Sequence, residues 1–344
     1  MKRYSKASDI RVGVIGYGGA YAMGPCHLNF MKQAGMTPSA ACDVDPERMV
    51  QAKIDYPEID TFTDVNEMLA KSKLDLVVII TPHNTHAALA VKCLGAAKHV
   101  VCEKPLAITT EECDEMIAAA RSNDVVLSTF HNRHWDGCIL EAVRQVKQDN
   151  AIGDVFRIEA HMQSYGKPGD WWRSSKSISG GILYDWGVHL LEYSLQIMDG
   201  SLTEVSGYAK KGFWGPQTVW KDDTNEDEGF LVARFDNSKW ITLSMSSIDS
   251  KPKENWLEIT GTKGAFTFDF EKWTCIRQVG DSADITSGKN PDGQNEKYYQ
   301  NIADHLVNGD DLVITPEWSR RPIHILDLAC RSATEGQALR AIYA

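Results

Sequence analysis

Three side chains in this sequence have the types and spacing for moving a proton: Lys104, Asp185 and His189. Lys104 follows the apolar run Val100-Val101-Cys102 and Glu103, and precedes Pro105. Proline cannot continue a strand ladder and pushes the residue before it into an extended or turn conformation. A lysine held at a strand end by a stiff backbone, partly desolvated, can exchange a proton near neutrality. The bland alternative is a surface lysine before a turn. Asp185 and His189 stand four apart in a segment that opens on Gly180-Gly181, a spacing that stacks both side chains on one helix face. A carboxylate beside an imidazole fixes its tautomer and raises its basicity, which suits general-base work. The competing reading is a helix N-terminal carboxylate with a histidine satisfied in the core. Gly187 lies between them and removes bulk, which lets a ligand approach the backbone.

The elements that must position these groups are legible upstream. Residues 10–15 read as a strand followed at once by Gly16-Tyr17-Gly18-Gly19-Ala20, with Pro25 in the first turn of a helix carrying Cys26, Phe30 and Met31 inward. Strand, glycine turn and helix in this order suit a dinucleotide pyrophosphate. The third glycine of G-x-G-x-x-G falls at Tyr21, so the turn must be longer or wider than the standard one. A strand over 39–42 ends at Asp43, whose carboxylate can accept from both ribose hydroxyls and would repel a 2′-phosphate. That favours NAD over NADP; Arg48, five residues on, softens the preference, and Asp43 also reads as a helix N-cap before Pro46. Residues 74–80 read as a strand with a continuous apolar tail that stops at Thr81-Pro82-His83-Asn84-Thr85-His86, and residues 125–130 as one more strand that ends in His131-Asn132-Arg133-His134. Strands and helices alternate throughout this half, which argues for a doubly wound parallel sheet. Thr81, His86, Lys104 and Asn132 then emerge together at carboxyl strand ends.

After Gly153 the pattern changes. Residues 155–162 approach apolar/polar alternation, and similar strands follow at 204–209, 229–235, 239–246, 256–259 and 265–270. Asp236-Asn237-Ser238 and Gly261-Thr262-Lys263-Gly264 supply hairpin turns, so an antiparallel sheet with helices on one side is expected. Residues 182–198 are expected as one helix, 280–296 as a mobile loop, and two late helices near 298–307 and 323–341. Trp171-Trp172-Arg173 gathers aromatic faces that suit the C–H face of a sugar or a nicotinamide, and a cation that suits phosphate or carboxylate; packing between domains is the alternative.

The 344 residues suffice for two domains with separate cores. A net charge of −11 argues against nucleic acid or an anionic membrane as partner, while backbone amides at a helix start can still bind phosphate locally. Eight scattered cysteines without a C-x-x-C pair, a basic start that runs into no apolar segment, and no bilayer-length apolar run predict a reduced cytoplasmic protein. No metal is expected, since His86, His131 and His189 lack ligand spacing.

These pieces together resemble the Gfo/Idh/MocA family of sugar and polyol oxidoreductases. The resemblance rests on Gly16-Tyr17-Gly18-Gly19, Thr81-Pro82, Glu103-Lys104-Pro105, and Gly180-Gly181 through Asp185 and Gly187 to His189, and it spans about residues 10–200. It implies a Rossmann domain over 1–131 and an α/β domain over 132–344 with a largely antiparallel, open-faced sheet, the last helix packing back on the first domain. It also implies a homodimer or homotetramer formed through that sheet. Carried over residue by residue, Lys104, Asp185 and His189 are catalytic. Gly16, Gly18, Gly19, Ala20, Asp43, Thr81, Pro82, Asn84, His86, Glu103, Lys104, Asn132, Trp172 and Arg173 would meet the cofactor, NAD rather than NADP. His131, His161 and Trp171 would join the catalytic three around a small carbohydrate substrate. The family's Lys-Pro bond is often cis, so a cis Pro105 is expected. The implied chemistry is hydride transfer from a carbon bearing a secondary hydroxyl. Two other readings accompany it: a glycosidase that oxidises its substrate transiently and eliminates the aglycone, and a non-catalytic NAD-binding regulator.

Overall fold

The computed structural model describes residues 3–19 and 21–342 and separates the chain into two compact units. The first comprises the chain up to Asn132 together with Glu296–Arg320, and the second comprises Arg133–Asn295 and the chain from Arg321 on. Residues 296–320 therefore return to the first unit, whereas a single division after residue 131 had been expected.

The first unit is built on β1 (Arg11–Ile15), β2 (Thr37–Cys42), β3 (Asp60–Phe62), β4 (Leu76–Ile79), β5 (His99–Cys102) and β6 (Leu127–Thr129). All pair in parallel in the order β3-β2-β1-β4-β5-β6. Between them run α1 (Met23–Gln33), α2 (Pro46–Asp55), α3 (Val65–Lys71), α4 (His86–Gly95) and α5 (Thr110–Ser122). Val12, Val14, Val77, Val78, Val100 and Val101 have no exposed surface, as a parallel sheet covered on both faces requires. The strand order reverses between β1 and β4, and ligands of such sheets bind at that switch, beyond the carboxyl ends. On α1 the buried stripe is Gly24, His27, Leu28 and Met31; Cys26 and Phe30, expected inside, lie off it.

The second unit holds α6 (Gly137–Ala142), β7 (Val155–Gln163), α7 (Lys176–Ser179), α8 (Ile182–Asp185), α9 (Gly187–Ile197), β8 (Leu202–Lys210), β9 (Glu228–Phe235), β10 (Lys239–Ser246), β11 (Leu257–Gly261), β12 (Gly264–Phe268), β13 (Lys272–Val279) and β14 (Ser282–Lys289). After α10 (Lys297–Val307), in the first unit, α11 (Pro316–Glu335) leads to β15 (Leu339–Arg340). The nine strands order as β14-β13-β12-β11-β7-β10-β9-β8-β15, and only β7 and β10 run parallel. The largely antiparallel sheet expected from alternation is present, with both hairpin turns where they were read.

Four expectations give way. The segment read as a loop carries β14, paired residue for residue with β13 across a turn at Gly280, whose φ is +61°. β14 is almost wholly exposed, so no buried face imposed apolar alternation on it. The expected helix over 182–198 is two helices meeting at Trp186. The second late helix begins at Pro316 and ends at Glu335, before β15, not near 323 and 341. Finally, a Cβ on Gly187 would lie 2.9 Å from Leu243 Cδ2, so this glycine serves packing of α9 on β10 and not the approach of a ligand. Among the described residues no helix is long and apolar enough to cross a membrane.

Candidate active site

The glycine turn lies between β1 and α1. Gly16 has φ +91°, and a Cβ there would sit 2.4 Å from the Ile80 carbonyl oxygen at the end of β4. Its N–H donates to the Cys42 carbonyl at the end of β2 (2.8 Å), so three strand ends meet at one glycine. Gly19 has φ +124° with open space around it. The turn is longer than G-x-G-x-x-G allows, as the displaced third glycine required. Gly24, in the first turn of α1, takes that part, because a Cβ there would lie 2.4 Å from the Tyr17 carbonyl oxygen. Sequence reading missed Gly24, although the Met23-Gly24-Pro25 start of the helix carried the signal. Ala20 lies outside the described residues.

Asp43, after β2, turns its carboxylate onto this turn. Oδ2 accepts from the Tyr17 N–H (2.8 Å) and the Gly18 N–H (3.4 Å), and Oδ1 accepts from the Asp45 N–H (3.0 Å). The N-cap of α2 is Asp45, not Asp43. The Arg48 guanidinium lies over Gly18, 1.8 Å from where a Cβ would be, with Nε 3.4 Å from Asp45. A positive-φ turn leading into a helix N-terminus, with a carboxylate at the next strand end, fits an NAD pyrophosphate and ribose.

Beyond β4, the Thr81 and Thr85 hydroxyls share a 2.7 Å hydrogen bond, and Pro82 offers its carbonyl to the Thr85 N–H at 2.9 Å. Asn84 is exposed in the short turn that follows. His86 has a different part from the cofactor contact expected of it. It is fully buried, with Nδ1 2.8 Å from the Pro105 carbonyl and Nε2 2.9 Å from the Thr81 carbonyl. Burial pushes its pKa down despite those carbonyls, and the ring sits between the loop after β4 and the loop after β5. His131 is buried at 1 % exposure, and Asn132, half-buried, opens a short turn after β6.

At the end of β5 the Lys104-Pro105 peptide is cis. Glu103 Oε2 accepts the backbone N–H of Lys104 (2.9 Å), and Oε1 lies 3.0 Å from His27 Nε2. Burial alone would raise the Glu103 pKa; the hydrogen bond and charge of His27 and the charge of Lys104 outweigh it and hold the carboxyl below its ordinary value. Lys104 itself is half-buried, its backbone fixed from both sides.

In the second unit the Arg173 guanidinium stacks on Trp172 (4.4 Å) and Trp171 (4.9 Å), with Nε 3.6 Å from Asp185 Oδ1. Asp185, at the end of α8, is thus joined to the Trp-Trp-Arg cluster. His189, on the first turn of α9, donates its backbone N–H to the Trp186 carbonyl (3.0 Å), and its ring meets Trp186 edge-on at 5.6 Å. Trp186 also carries Arg133 at 4.8 Å and Trp256 at 5.2 Å, two contacts that sequence reading did not anticipate. His161, on β7, lies 3.4 Å from Lys253 Nζ and 3.5 Å from Glu258. Burial and then the Lys253 charge lower its pKa to about 4, which keeps it neutral in ordinary buffers.

Comparison with known proteins bears on both units. Residues 10–131 match the model described as "Oxidoreductase family, NAD-binding Rossmann fold", and residues 140–267 match "GFO/IDH/MocA C-terminal domain". An uncharacterized oxidoreductase of Escherichia coli, YdgJ, is 33 % identical over 192 residues, 56 % of this chain and 54 % of its own. The chain thus spans only about half the length of that relative. The scyllo-inositol 2-dehydrogenase (NADP(+)) IolW of Bacillus subtilis is 25 % identical over 98 % of both chains. Among solved structures, a levoglucosan dehydrogenase in complex with NADH and levoglucosan shares the fold, with a TM-score of 0.81 at 19 % identity over 96 % of this chain and 99 % of that one.

Proposed function

Because the chain belongs to the Gfo/Idh/MocA oxidoreductase family, we propose that it oxidises a secondary hydroxyl of a sugar, polyol or glycoside, or runs the reverse reduction. The single observation that carries this reading is the turn Glu103-Lys104-Pro105 at the carboxyl end of β5, with the Lys104 N–H held by Glu103, two strands from the glycine turn. NAD, when bound, supplies the carbon that takes the hydride. The backbone amides from Gly16 into α1 hold the pyrophosphate, and Asp43 accepts from the adenosine ribose. Lys104 polarises the substrate oxygen and shares its proton. His189 takes the hydroxyl proton as general base. Asp185, next to Arg173, binds a neighbouring hydroxyl, while Trp171 and Trp172 lend apolar faces to ring C–H groups.

A double-mutant cycle on Lys104 and His189 tests whether they serve one substrate, since groups acting as a unit are strongly non-additive. The wider test is a panel of inositols, pyranoses and glycosides followed by NADH absorbance, with NADP in parallel. Bound NAD with no nicotinamide reduction by any of them would remove the dehydrogenase reading. Aglycone release without NADH accumulation would replace it with transient oxidation and elimination.

Cofactor choice turns on Asp43. Asp43→Ser removes the charge that disfavours a 2′-phosphate and leaves Arg48 nearby, so the NAD-to-NADP ratio of kcat/KM is expected to fall by about tenfold or more. Because Asp43 also holds the Tyr17 N–H, the KM for NAD should rise in the same variant. An unchanged ratio would remove Asp43 from cofactor discrimination. We further propose a cytoplasmic homodimer or homotetramer formed through the open face of the second unit's sheet, for which light scattering on the eluting protein is the check.

A further inference from the structure

We infer that His27 and Tyr299 are positioning residues for Lys104, acting through the Glu103 carboxylate. The inference rests on the role proposed for Lys104. His27, on α1, is fully buried; its Nε2 lies 3.0 Å from Glu103 Oε1 and its Nδ1 2.6 Å from the Tyr299 hydroxyl. Glu103 Oε2 completes the line by accepting the Lys104 backbone N–H at 2.9 Å.

The direction of the hydrogen bonds follows from acidity. Burial, and then the neighbouring Tyr298 and Glu103, push the Tyr299 phenol well above its ordinary pKa, so it keeps its proton and donates to Nδ1. Nε2 then carries the ring proton and donates to the carboxylate. Phenol, imidazole, carboxylate and the Lys104 N–H each have a partner, with the Glu103 carboxylate fixed beside the lysine.

Three elements far apart in sequence hold that charge. Tyr299 comes from α10, in the segment that returns to the first unit. That segment is itself pinned to β6: Ser128 Oγ lies 2.8 Å from the Tyr298 hydroxyl and donates to the Ile314 carbonyl at 2.8 Å. Phe130 meets His27 edge-on at 4.4 Å and Tyr298 at 4.9 Å, which leaves the imidazole little room to turn. Other titratable groups face Glu103 from β5, α4 and α10. Burial pushes the Cys102 thiol and the Tyr298 phenol up and the His86 imidazole down. The hydrogen bond and charge of His27, and then the charge of Lys104, act on the carboxylate.

Removing the His27 donor leaves a buried carboxylate short of a hydrogen bond, and it should take up a proton more readily. Lys104 would then lose its neighbouring anion, and its amine should become more acidic by about one pH unit. The test reads that amine directly. The pH dependence of competitive acylation at Lys104 is followed by mass spectrometry in wild type, His27→Leu, His27→Gln and Tyr299→Phe, alongside NAD affinity and the pH profile of kcat/KM. The Leu variant should shift the Lys104 titration down by about one unit and move the pH profile the same way, with NAD affinity within about threefold of wild type. Gln presents an amide donor and acceptor in one side chain and should restore most of the shift, which a merely space-filling role would not produce. Phe at 299 deletes one oxygen, keeps the packing and should give a smaller shift. That variant decides the matter if the Leu variant does not fold.

Superimposable Lys104 titrations in folded variants would overturn the inference. A shifted titration in a protein that reduces no nicotinamide with any substrate would support the inference and defeat the dehydrogenase reading instead.

Discussion

Lys104→Ala is expected to lower turnover by a factor of about 10² to 10⁴ while NAD still binds. The expected size is that of a positioned acid–base group, and the position is fixed by backbone alone. The N–H of Lys104 is held by Glu103 Oε2 (2.9 Å), and the Pro105 carbonyl lies 2.8 Å from His86 Nδ1. None of these restraints uses the lysine amine, so its removal should leave the turn intact. NAD binding survives because its anchors lie elsewhere, in the Gly16 turn and at Asp43. Lys104→Arg should fail to restore activity, because guanidinium keeps its proton at any working pH and can neither share nor return one. Steady-state rates and calorimetric titration of NAD on the three proteins separate the effects. Full turnover in the Ala variant with a real substrate would end the assignment of Lys104.

That turn was legible because several local rules agree there: apolar β-formers, then charge, then proline. The parallel sheet was legible for the same reason, since β4 is apolar throughout and the buried residues of β1 and Val100–Cys102 of β5 carry no polar side chain but the thiol. β3 escaped notice because it has three residues, all at least partly accessible, and a strand that short has no period to read. β14 escaped because an edge strand with exposed faces is free to be Ser, Asp, Thr and Gly.

Polar residues at strand ends were the harder problem. His86 and Lys104 look alike in sequence, each a basic side chain beside a proline-containing turn. Only coordinates show that one is fully buried, with its ring nitrogens facing two backbone carbonyls. The His27–Tyr299 hydrogen bond joins residues 272 apart, on helices that carry no shared motif, so nothing local announces it. Asp185 was expected to work with His189 by helical spacing, and the break at Trp186 instead brings its carboxylate to within 3.6 Å of Arg173 Nε. A helix periodicity argument holds only while the helix is continuous.

The glycines of the turn provide the second large effect, because their surroundings predict a ranking that composition does not. Gly24→Ala would place a Cβ 2.4 Å from the Tyr17 carbonyl oxygen and 2.6 Å from its Cα, both backbone atoms that cannot swing aside. The first turn of α1 must then move off the glycine turn, at a cost of about 1–3 kcal/mol by analogy with overpacked cores. Since that movement displaces the amides meant for the pyrophosphate, NAD affinity should fall by about tenfold or more. Gly16→Ala should be at least as damaging, combining φ +91° with a Cβ 2.4 Å from the Ile80 carbonyl oxygen. At Gly18 the obstacle is the far end of the Arg48 side chain, which can rotate away, so Gly18→Ala should cost less stability than either. Gly95, at the end of α4 with nothing within 4 Å, is the control, and alanine there should be neutral or stabilising by up to about 1 kcal/mol. Urea midpoints and NAD titrations on the four variants give the ranking. If Gly24→Ala unfolds at the wild-type midpoint and binds NAD as tightly, the close packing of α1 on the turn is not what shapes the nucleotide site.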